Sequence, residues 1–360
     1  MLIDVVRPSA LRAREIDAWT ALQATDPSLA SPFLSPHWAI AVERAQAGQR
    51  GEIRVAVLRD GADPVGFFPI RVVGQTAMPV GAPMCDYQGL IAGPDVRLDA
   101  KRLVEALGVH RLDFSHMLAD QPAFLPYARG EASSYVIDVA RGYQVYAARH
   151  RQAGHHVLKD IDKRRRKLQR ELGPPRFQAM ANCPDAFDIL LDWKRSRYQS
   201  TGQTVIFDTP WTVALMRALH EMRDGDFGGA LFTLHVGERP AAIQFHLRGA
   251  RTLHAWIIAY DAAFERYSPG LMLFQEILRW MDETPLTAFD LGAGDYQFKQ
   301  QLANARRAVT HGFVGRPSAA SFMRGAQYGV RAAAERLPWS KVQALPGKAM
   351  RRLDLWRGLR

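Results

Sequence analysis

The sequence contains one pattern of segments twice, and this duplication constrains the fold more than any other feature. Residues 53–74 and residues 230–249 each hold two apolar runs around a turn with glycine and proline. The same number of positions separates Gly61 from Gly237 and Pro64 from Pro240. Because β-branched and aromatic residues flank both turns, each segment is predicted to form a β-hairpin.

Each hairpin is followed by a strand, a helix and another strand. We predict these elements at residues 87–92, 101–107 and 110–114 in the first copy, and at 252–260, 270–281 and 286–291 in the second. Amphipathic helices precede the hairpins at residues 11–24, 36–46, 184–199 and 210–222. A hairpin that leads into a strand–helix–strand crossover gives a mixed sheet with helices on its faces. The predicted fold class is therefore α/β, with two tandem units.

The length of 360 residues agrees with more than one domain. We expect a first unit at residues 1–145, a second unit at residues 146–316 and a basic helical tail at residues 317–360. The tail is rich in alanine and arginine, and we expect Pro338 and Pro346 to break its helix.

The basic charge is concentrated in two places. The chain carries a net charge of +11, with +7 in residues 149–170, +8 in residues 316–360 and −4 in the remainder. Anionic partners should therefore meet these two segments first.

The N-terminus lacks the apolar centre of a signal peptide and no apolar run is long enough to span a bilayer, so we expect a cytoplasmic protein. The chain contains only two cysteines, Cys85 and Cys183, which excludes a disulfide scaffold, and no metal is expected.

Two segments of the second copy have the character of a ligand site. Tyr267-Ser268-Pro269-Gly270 stands between a predicted strand and a predicted helix. A helix start offers unpaired backbone N–H groups that suit a pyrophosphate or a carboxylate, although the same residues can simply begin a buried helix. In the second segment, Asp290-Leu291-Gly292-Ala293-Gly294-Asp295 ends a strand. Asp295 is expected to cap a short helix that carries Lys299, with an ordinary turn and a solvated ion pair as the alternative.

The duplicated layout and these two segments resemble the GNAT-superfamily acyltransferases of the CelD-like group, which are related to the FemAB transferases. The resemblance is best over residues 150–316, which include the basic helix at 159–170, and it continues as a degenerate copy over the first half. It implies two tandem GNAT-like units and transfer of an acyl group from coenzyme A to an amine. By position, it also implies that the acyl-CoA pyrophosphate lies at Ser268, Pro269, Gly270 and Leu271.

Transfer of an acyl group to an amine requires a proton acceptor and a donor for the thioester oxygen. The candidates for holding or deprotonating the amine are Asp290 and Asp295, and Lys299 is the candidate for stabilising charge or for ordering the two aspartates. His246 and His254 are weaker candidates for the base, because a strand histidine is more often structural. The residues that we expect at the acceptor are Trp193, Lys194 and Arg197, whose alternative is a solvated helix face, together with Tyr296, Asp86 and Tyr87.

The basic segments leave several interpretations open. Lys163-Arg164-Arg165-Arg166-Lys167 can be a solvated helix face, a contact for the CoA phosphates or a tRNA-binding surface, and we rank tRNA below CoA. Residues 317–360 can pack on the domain, lie on an anionic membrane surface or bind an anionic nucleotide through Arg351-x-x-Asp354. DNA is not an expected partner. A membrane contact would place the protein peripherally at the inner face.

The function that this resemblance favours is an N-acyltransferase that uses acetyl-CoA, or another acyl-CoA, and a small-molecule or polysaccharide-precursor amine. An amino sugar in exopolysaccharide or cell-envelope synthesis is the first candidate acceptor. Two alternatives from other classes remain. One is a FemAB-like, aminoacyl-tRNA-dependent transferase acting on peptidoglycan precursors. The other is a catalytically silent module that senses an anionic ligand through the basic tail.

Overall fold

The computed structural model describes residues 1–222, 225–338 and 340–359. The chain forms two compact units. Unit 1 contains Met1–Leu29, Phe33–Ala132 and Ala308–Arg360, whereas unit 2 contains Ala30–Pro32 and Ser133–Arg307. No helix within the described residues combines the length and the apolar character needed to cross a membrane.

The first part of the chain carries the first predicted hairpin, β2–β3, and the helices that precede it. Its elements are β1 (Leu2–Val6), α1 (Ala13–Thr25), α2 (Pro36–Ala45), β2 (Glu52–Asp60), β3 (Asp63–Val73), β4 (Thr76–Pro79), β5 (Ile91–Ala92), α3 (Ala100–Ala106), β6 (Arg111–Leu118) and β7 (Ala128–Asp138). The strand predicted at residues 87–92 is shorter than expected, because β5 alone is strand and Gln88 forms an isolated bridge.

The second part repeats this order from β8 to β13, with α4 and α5 before the repeat, α9 between β12 and β13, and α10 and α11 after it. Its elements are α4 (Tyr143–Gln152), α5 (Val157–Leu172), β8 (Pro175–Gln178), α6 (Pro184–Ser200), α7 (Pro210–Glu221), β9 (Gly228–Val236), β10 (Arg239–Arg248), β11 (Thr252–Tyr260), α8 (Pro269–Trp280), β12 (Ala288–Ala293), α9 (Gln297–Leu302), β13 (Ala305–Gly315), α10 (Ala319–Glu335) and α11 (Ser340–Leu359). Helices α6, α7 and α8 each begin with proline in the first turn, where its missing N–H leaves no bond unmade.

Each unit has a mixed sheet. In unit 1 the strand order is β1-β2-β3-β4-β6-β13, with β5 beside β3, and β4 and β6 are parallel. In unit 2 the order is β7-β12-β11-β10-β9-β8, and β11 and β12 are parallel. The strand that follows the first copy in the chain, β7, pairs with β12 and so belongs to the sheet of unit 2. The strand that follows the second copy, β13, pairs with β6 and so belongs to the sheet of unit 1.

Each sheet buries its own apolar core. In unit 1, Phe68, Leu112 and Phe114 of the sheet pack with Leu103 and Val104 of α3. In unit 2, residues of β7 and β9 to β12 pack with α4, α5 and α8, and α8 buries most of one face. The amphipathic pattern of α8 explains this position, because its apolar residues recur at helical spacing.

The C-terminal helices belong to unit 1. Arg324 on α10 pairs with the buried Asp113 of β6 (3.3 Å) and with Asp354 of α11 (2.9 Å). The backbone oxygen of Gly358 accepts a hydrogen bond from the buried Arg71 (2.6 Å). The chain breaks between α10 and α11 near Pro338 as predicted, but the expected break at Pro346 is wrong, because α11 continues through it. We attribute the continuity to the contacts made by Asp354 and Gly358, which hold the helix beyond the proline.

Candidate active site

The carboxyl ends of β11 and β12 form a fork in unit 2. The two parallel strands pair from Thr252 and Ala288 to His254 and Asp290. Beyond this point β11 continues along β10 to Tyr260, and β12 continues along β7 to Ala293. Ligands of α/β sheets bind at the carboxyl ends of strands, and parting strands open their edges to an extended ligand.

Asp290 lies at the apex of the fork, with 1% of its surface exposed. Its Oδ1 atom accepts hydrogen bonds from the backbone N–H of Gly292 (2.8 Å) and from Ser134 Oγ (3.2 Å). The Nδ1 atom of the buried His254 is 3.6 Å from the same oxygen. These contacts, together with a bulge in β12 after Asp290, fix the course of β12 as it leaves β11 and approaches the following loop.

The loop after β12 carries the other predicted acidic residue. Gly292 and Gly294 have φ angles of 73° and 111°, a region that favours glycine. They turn the chain so that Asp295 is exposed and its Oδ1 accepts a hydrogen bond from the Tyr135 hydroxyl (3.0 Å). The prediction that Asp295 caps a helix is wrong, because α9 starts at Gln297 and Tyr296 occupies the cap position.

Lys299 folds back from α9 onto the end of β12. Its Nζ atom donates to the backbone oxygens of Ala293 (2.8 Å) and Gly292 (3.2 Å) and lies 5.4 Å from the ring centre of Tyr296. Lys299 therefore braces the loop that presents Asp295. The Tyr296 ring is 63% exposed at the surface of this loop.

The start of α8 lies on the β11 side of the fork. Ser268 has a left-handed backbone (φ 55°), Pro269 opens the helix, and the N–H of Leu271 bonds back to the Ser268 oxygen (3.1 Å). Arg164 of α5 donates a hydrogen bond to Ser268 Oγ. A guanidinium thus stands beside backbone N–H groups at a helix N-terminus, an arrangement that attracts anions. A side chain at Gly270 would meet the Tyr260 ring at an ordinary 3.6 Å.

The basic run of α5 divides into two sets. Arg164 and Arg165 face α8, where Arg165 forms an ion pair with Glu276 and a hydrogen bond with Gln275 (3.4 Å). The remaining cations, Lys163, Arg166 and Lys167, are exposed. Arg165 is therefore structural, whereas Arg164, which is itself exposed, and the three other cations agree with a solvated face or an anion contact.

Helix α6 packs against β10 and β11 and brings basic and aromatic groups to the fork. Burial, and then the nearby Arg197, lowers the pKa of Lys194, whose Nζ lies 4.7 Å from the Tyr198 ring centre. Burial raises the pKa of Tyr198, and Tyr296 adds to this rise. Burial raises the pKa of Tyr260, and the positive charge of Arg197 offsets part of this rise. Arg197 and Tyr198 thus lie near the β11 side and the β12 side of the fork, respectively.

The predicted Trp193 is half-buried on the same helix. Trp193, Arg197 and Tyr296 therefore belong to unit 2, on the helix or the loop beside the fork. Their assignment to the acceptor stays a prediction.

His246 lies in the interior, with no exposed surface. Its Nδ1 atom accepts from the backbone N–H of Trp256 (3.3 Å), the residue of β11 that a bulge leaves outside the β10 register. Its Nε2 atom is 3.0 Å from Gln244 Oε1, and Gln244 donates to the oxygen of Gly270 (2.9 Å). Burial, and then His254, lowers the pKa of His246 to about 3. These contacts favour a structural role, and the catalytic assignment of His246 stays a prediction.

The two acceptor candidates from the first copy lie in unit 1. Tyr87 is buried and Asp86 is half-buried, in the segment before β5. Burial, and then the Asp86 carboxylate, raises the pKa of the Cys85 thiol. Within the described part of the chain, no group of three or more histidine, cysteine, aspartate or glutamate residues is placed to hold a metal.

Two residues of this site, Tyr135 and Tyr198, were not predicted from the sequence. Tyr135 contacts Asp295 from a strand 160 positions earlier, and no local pattern marks that pairing. Tyr198 stands four positions after Lys194, which was predicted at the acceptor, and this spacing predicts that the two are neighbours on one helix face. The spacing of these two residues was the available signal.

Comparison with known proteins agrees with this geometry. Residues 155–300 match the family model described as an acetyltransferase (GNAT) domain. No match was found among curated protein sequences. The matched range contains α5, α8, the fork and the loop with Asp295.

Three solved structures share the fold. FemX is 10% identical with a TM-score of 0.55, and the match covers 87% of this chain and 96% of FemX. The C-terminal domain of a putative lysylphosphatidylglycerol synthetase from Agrobacterium fabrum is 11% identical with a TM-score of 0.51 and the same two coverages. A tandem GNAT protein from the clavulanic acid biosynthesis pathway is 11% identical with a TM-score of 0.50, covering 88% of this chain and all of that one. The predicted tandem GNAT-like α/β fold, related to that of the FemAB transferases, is confirmed.

Proposed function

We propose that this chain is an N-acyltransferase that moves an acyl group from an acyl-CoA, with acetyl-CoA as the first candidate, to an amine. The observation that carries the proposal is the fork between β11 and β12, which stands beside the N-terminus of α8. This arrangement combines an open strand edge with an anion-binding helix start. The GNAT domain match over residues 155–300 supports the same class of reaction.

The donor would bind along the β11 side of the fork. The pyrophosphate of CoA would lie at the first turn of α8, where Arg164 and the N–H groups after Ser268 supply positive charge. The pantetheine arm is an extended chain with amide groups, and it can bond to the edge of β11 as an added strand does. The thioester would then lie deeper in the fork, towards His254 and Asp290.

In the reaction, the amine nitrogen attacks the thioester carbon, the C–S bond breaks, and the CoA thiolate leaves and takes up the proton that the nitrogen loses as the amide forms. The ammonium proton must be lost before the attack, and a carboxylate within reach can take it. Asp295 is exposed and held by Tyr135, so it is placed to bind the amine and accept this proton. Asp290 is buried and already accepts two hydrogen bonds, so its part is to position the strand end.

The acceptor class follows from the groups at the mouth of the fork. Tyr296 offers an exposed ring, while Lys194 and Arg197 add positive charge on α6. Aromatic rings suit the apolar face of a sugar, and cations suit a phosphate linked to it. An amino sugar bearing an anionic group, as in a precursor of exopolysaccharide or the cell envelope, fits these groups.

Two measurements test this proposal. Thermal unfolding with saturating acetyl-CoA, longer acyl-CoAs and aminoacyl-tRNA would identify the donor, since ligand at 100 times its Kd stabilises the folded chain by about 2.7 kcal/mol. Release of free CoA in the presence of amino sugars would then report turnover. We expect Asp295→Asn to lower kcat by on the order of 100-fold, and Asp17→Asn, at an exposed carboxylate of unit 1, to leave it unchanged.

The alternatives give different results in the same assays. Stabilisation by aminoacyl-tRNA and by no CoA would assign the chain to the tRNA-dependent class. Stabilisation by neither, with no turnover, would indicate the silent module.

A further inference from the structure

One face of α10 is exposed and almost entirely apolar. Within this helix every exposed residue except Glu335 is alanine, glycine, phenylalanine, methionine or valine. Phe322, Met323 and Val330 are 78%, 57% and 61% exposed. We call this surface the α10 outer face, and it comprises Ala319, Phe322, Met323, Ala326, Gly329, Val330 and Ala333. These positions recur at intervals of three and four residues, so they form one continuous stripe.

The opposite face of α10 is fixed to unit 1 by polar and aromatic contacts. Arg111 donates to the backbone oxygen of Ala320 (2.6 Å), and Tyr328 stacks on Phe313 with ring centres 5.9 Å apart. Arg324 forms a buried ion pair with Asp113. Rotating the helix to bury its apolar stripe would break all these contacts, so the stripe is held towards the exterior.

The charges around the stripe are positive. Arg316 and Arg336 are exposed just before and just after the helix, and Glu335, the acidic residue of the helix, bonds to Arg331 (2.8 Å). Residues 316–360 carry a net charge of +8. A second copy of this chain would place arginines against arginines at matching helix ends in a parallel pairing. An anionic surface would be attracted along the whole segment.

We propose that the α10 outer face binds the surface of a bilayer that contains anionic lipid. Phe322, Met323 and Val330 would enter the interface between headgroups and acyl chains, and the arginines at the helix ends would contact lipid phosphates. An apolar face flanked by basic residues is the pattern of helices that lie in the plane of a membrane. This surface is formed by α10, the first helix of the segment 317–360 for which the sequence analysis leaves a membrane contact open. The inference does not depend on the proposed acyltransferase activity.

The test is sedimentation of the full chain with vesicles of phosphatidylcholine alone or with equal parts of phosphatidylglycerol. We expect binding to the anionic vesicles that weakens as salt is added. Phe322→Ser combined with Val330→Ser should weaken the partition at least tenfold, and Ala326→Glu should do the same. Arg316→Gln should weaken it about fivefold, as expected for about 1 kcal/mol per basic residue. The control is Leu125→Ser, which removes an exposed apolar side chain elsewhere in unit 1 and should change nothing.

All the substituted positions are exposed, and an unchanged thermal transition will verify that each variant is folded. Absence of binding to anionic vesicles would overturn the proposal. It would also be overturned if the three apolar-face changes left the partition unaltered. A concentration-dependent dimer in analytical ultracentrifugation that Ala326→Glu abolishes, without vesicle binding, would instead assign the face to a second copy of the chain.

Discussion

Lowering the pH tests the interior position of His246. The folded chain holds this imidazole neutral between the N–H of Trp256 and the amide of Gln244, and its pKa is lowered to about 3 because the site excludes water. In the unfolded chain the pKa is near the ordinary value of 6.5. Below pH 6.5 the imidazole of His246 binds a proton in the unfolded state, whereas in the folded state it stays neutral until the pH approaches 3. The stabilisation is therefore complete above pH 6.5 and is lost as the pH falls towards 3.

The size of the effect follows from these two pKa values. Between pH 7 and pH 5 the folded chain should lose about 2 kcal/mol of unfolding free energy through His246 alone. Other buried histidines add to the loss, since burial lowers the pKa of His150 and of His311 to about 4. The contribution of His246 must therefore be measured as a difference between variants.

Urea unfolding of the wild type and of His246→Gln at pH 7 and pH 5 measures that difference. His246→Gln should be less stable than the wild type at both pH values. Its loss of unfolding free energy between pH 7 and pH 5 should be smaller than that of the wild type by about 2 kcal/mol. His156→Gln, which removes an exposed imidazole, is the control and should follow the wild type. Equal losses in the wild type and in His246→Gln would refute the argument, because His246 would then titrate alike in both states.

Two further predictions concern the site. Tyr135→Phe removes the hydrogen bond to Asp295 (3.0 Å) and should lower kcat/KM about tenfold in the CoA-release assay, with the thermal transition nearly unchanged because Asp295 is exposed. Arg164→Ala removes the cation beside Ser268 and should raise the Kd for acetyl-CoA about tenfold in titration calorimetry, whereas Arg166→Ala on the same helix should have little effect. Equal Kd values for the two arginine variants would contradict the assigned pyrophosphate position.

The local elements of the fold were predictable because short-range rules determine them. Gly61 and Gly237, both with φ 59°, mark the turns of the two hairpins, with Pro64 and Pro240 just inside the strands that follow. Proline at the start of α6, α7 and α8 marks where these helices begin. The exchange of β7 and β13 was not predictable, because pairing of β7 with β12 joins segments more than 150 positions apart. Strand pairing at such a distance depends on tertiary packing and leaves no local periodicity.

The same division applies to the candidate site. The Asp290–Asp295 segment and the Ser268 helix start could be found because glycines after a buried strand and a proline at a helix start have known local consequences. The contacts that their side chains make could not be predicted in this way. Lys299 was expected to stabilise charge or to order the aspartates, and its Nζ atom donates to the backbone oxygens of Gly292 and Ala293, a contact that no local sequence pattern indicates.

A crystal structure of the chain with bound CoA will show whether the fork between β11 and β12 is the acyl-CoA site. We expect the pyrophosphate at the first turn of α8, within hydrogen-bond distance of Arg164, and the pantetheine arm along β11 beyond His254. CoA bound elsewhere, with the edge of β11 unoccupied between Ala255 and Tyr260, would refute this assignment.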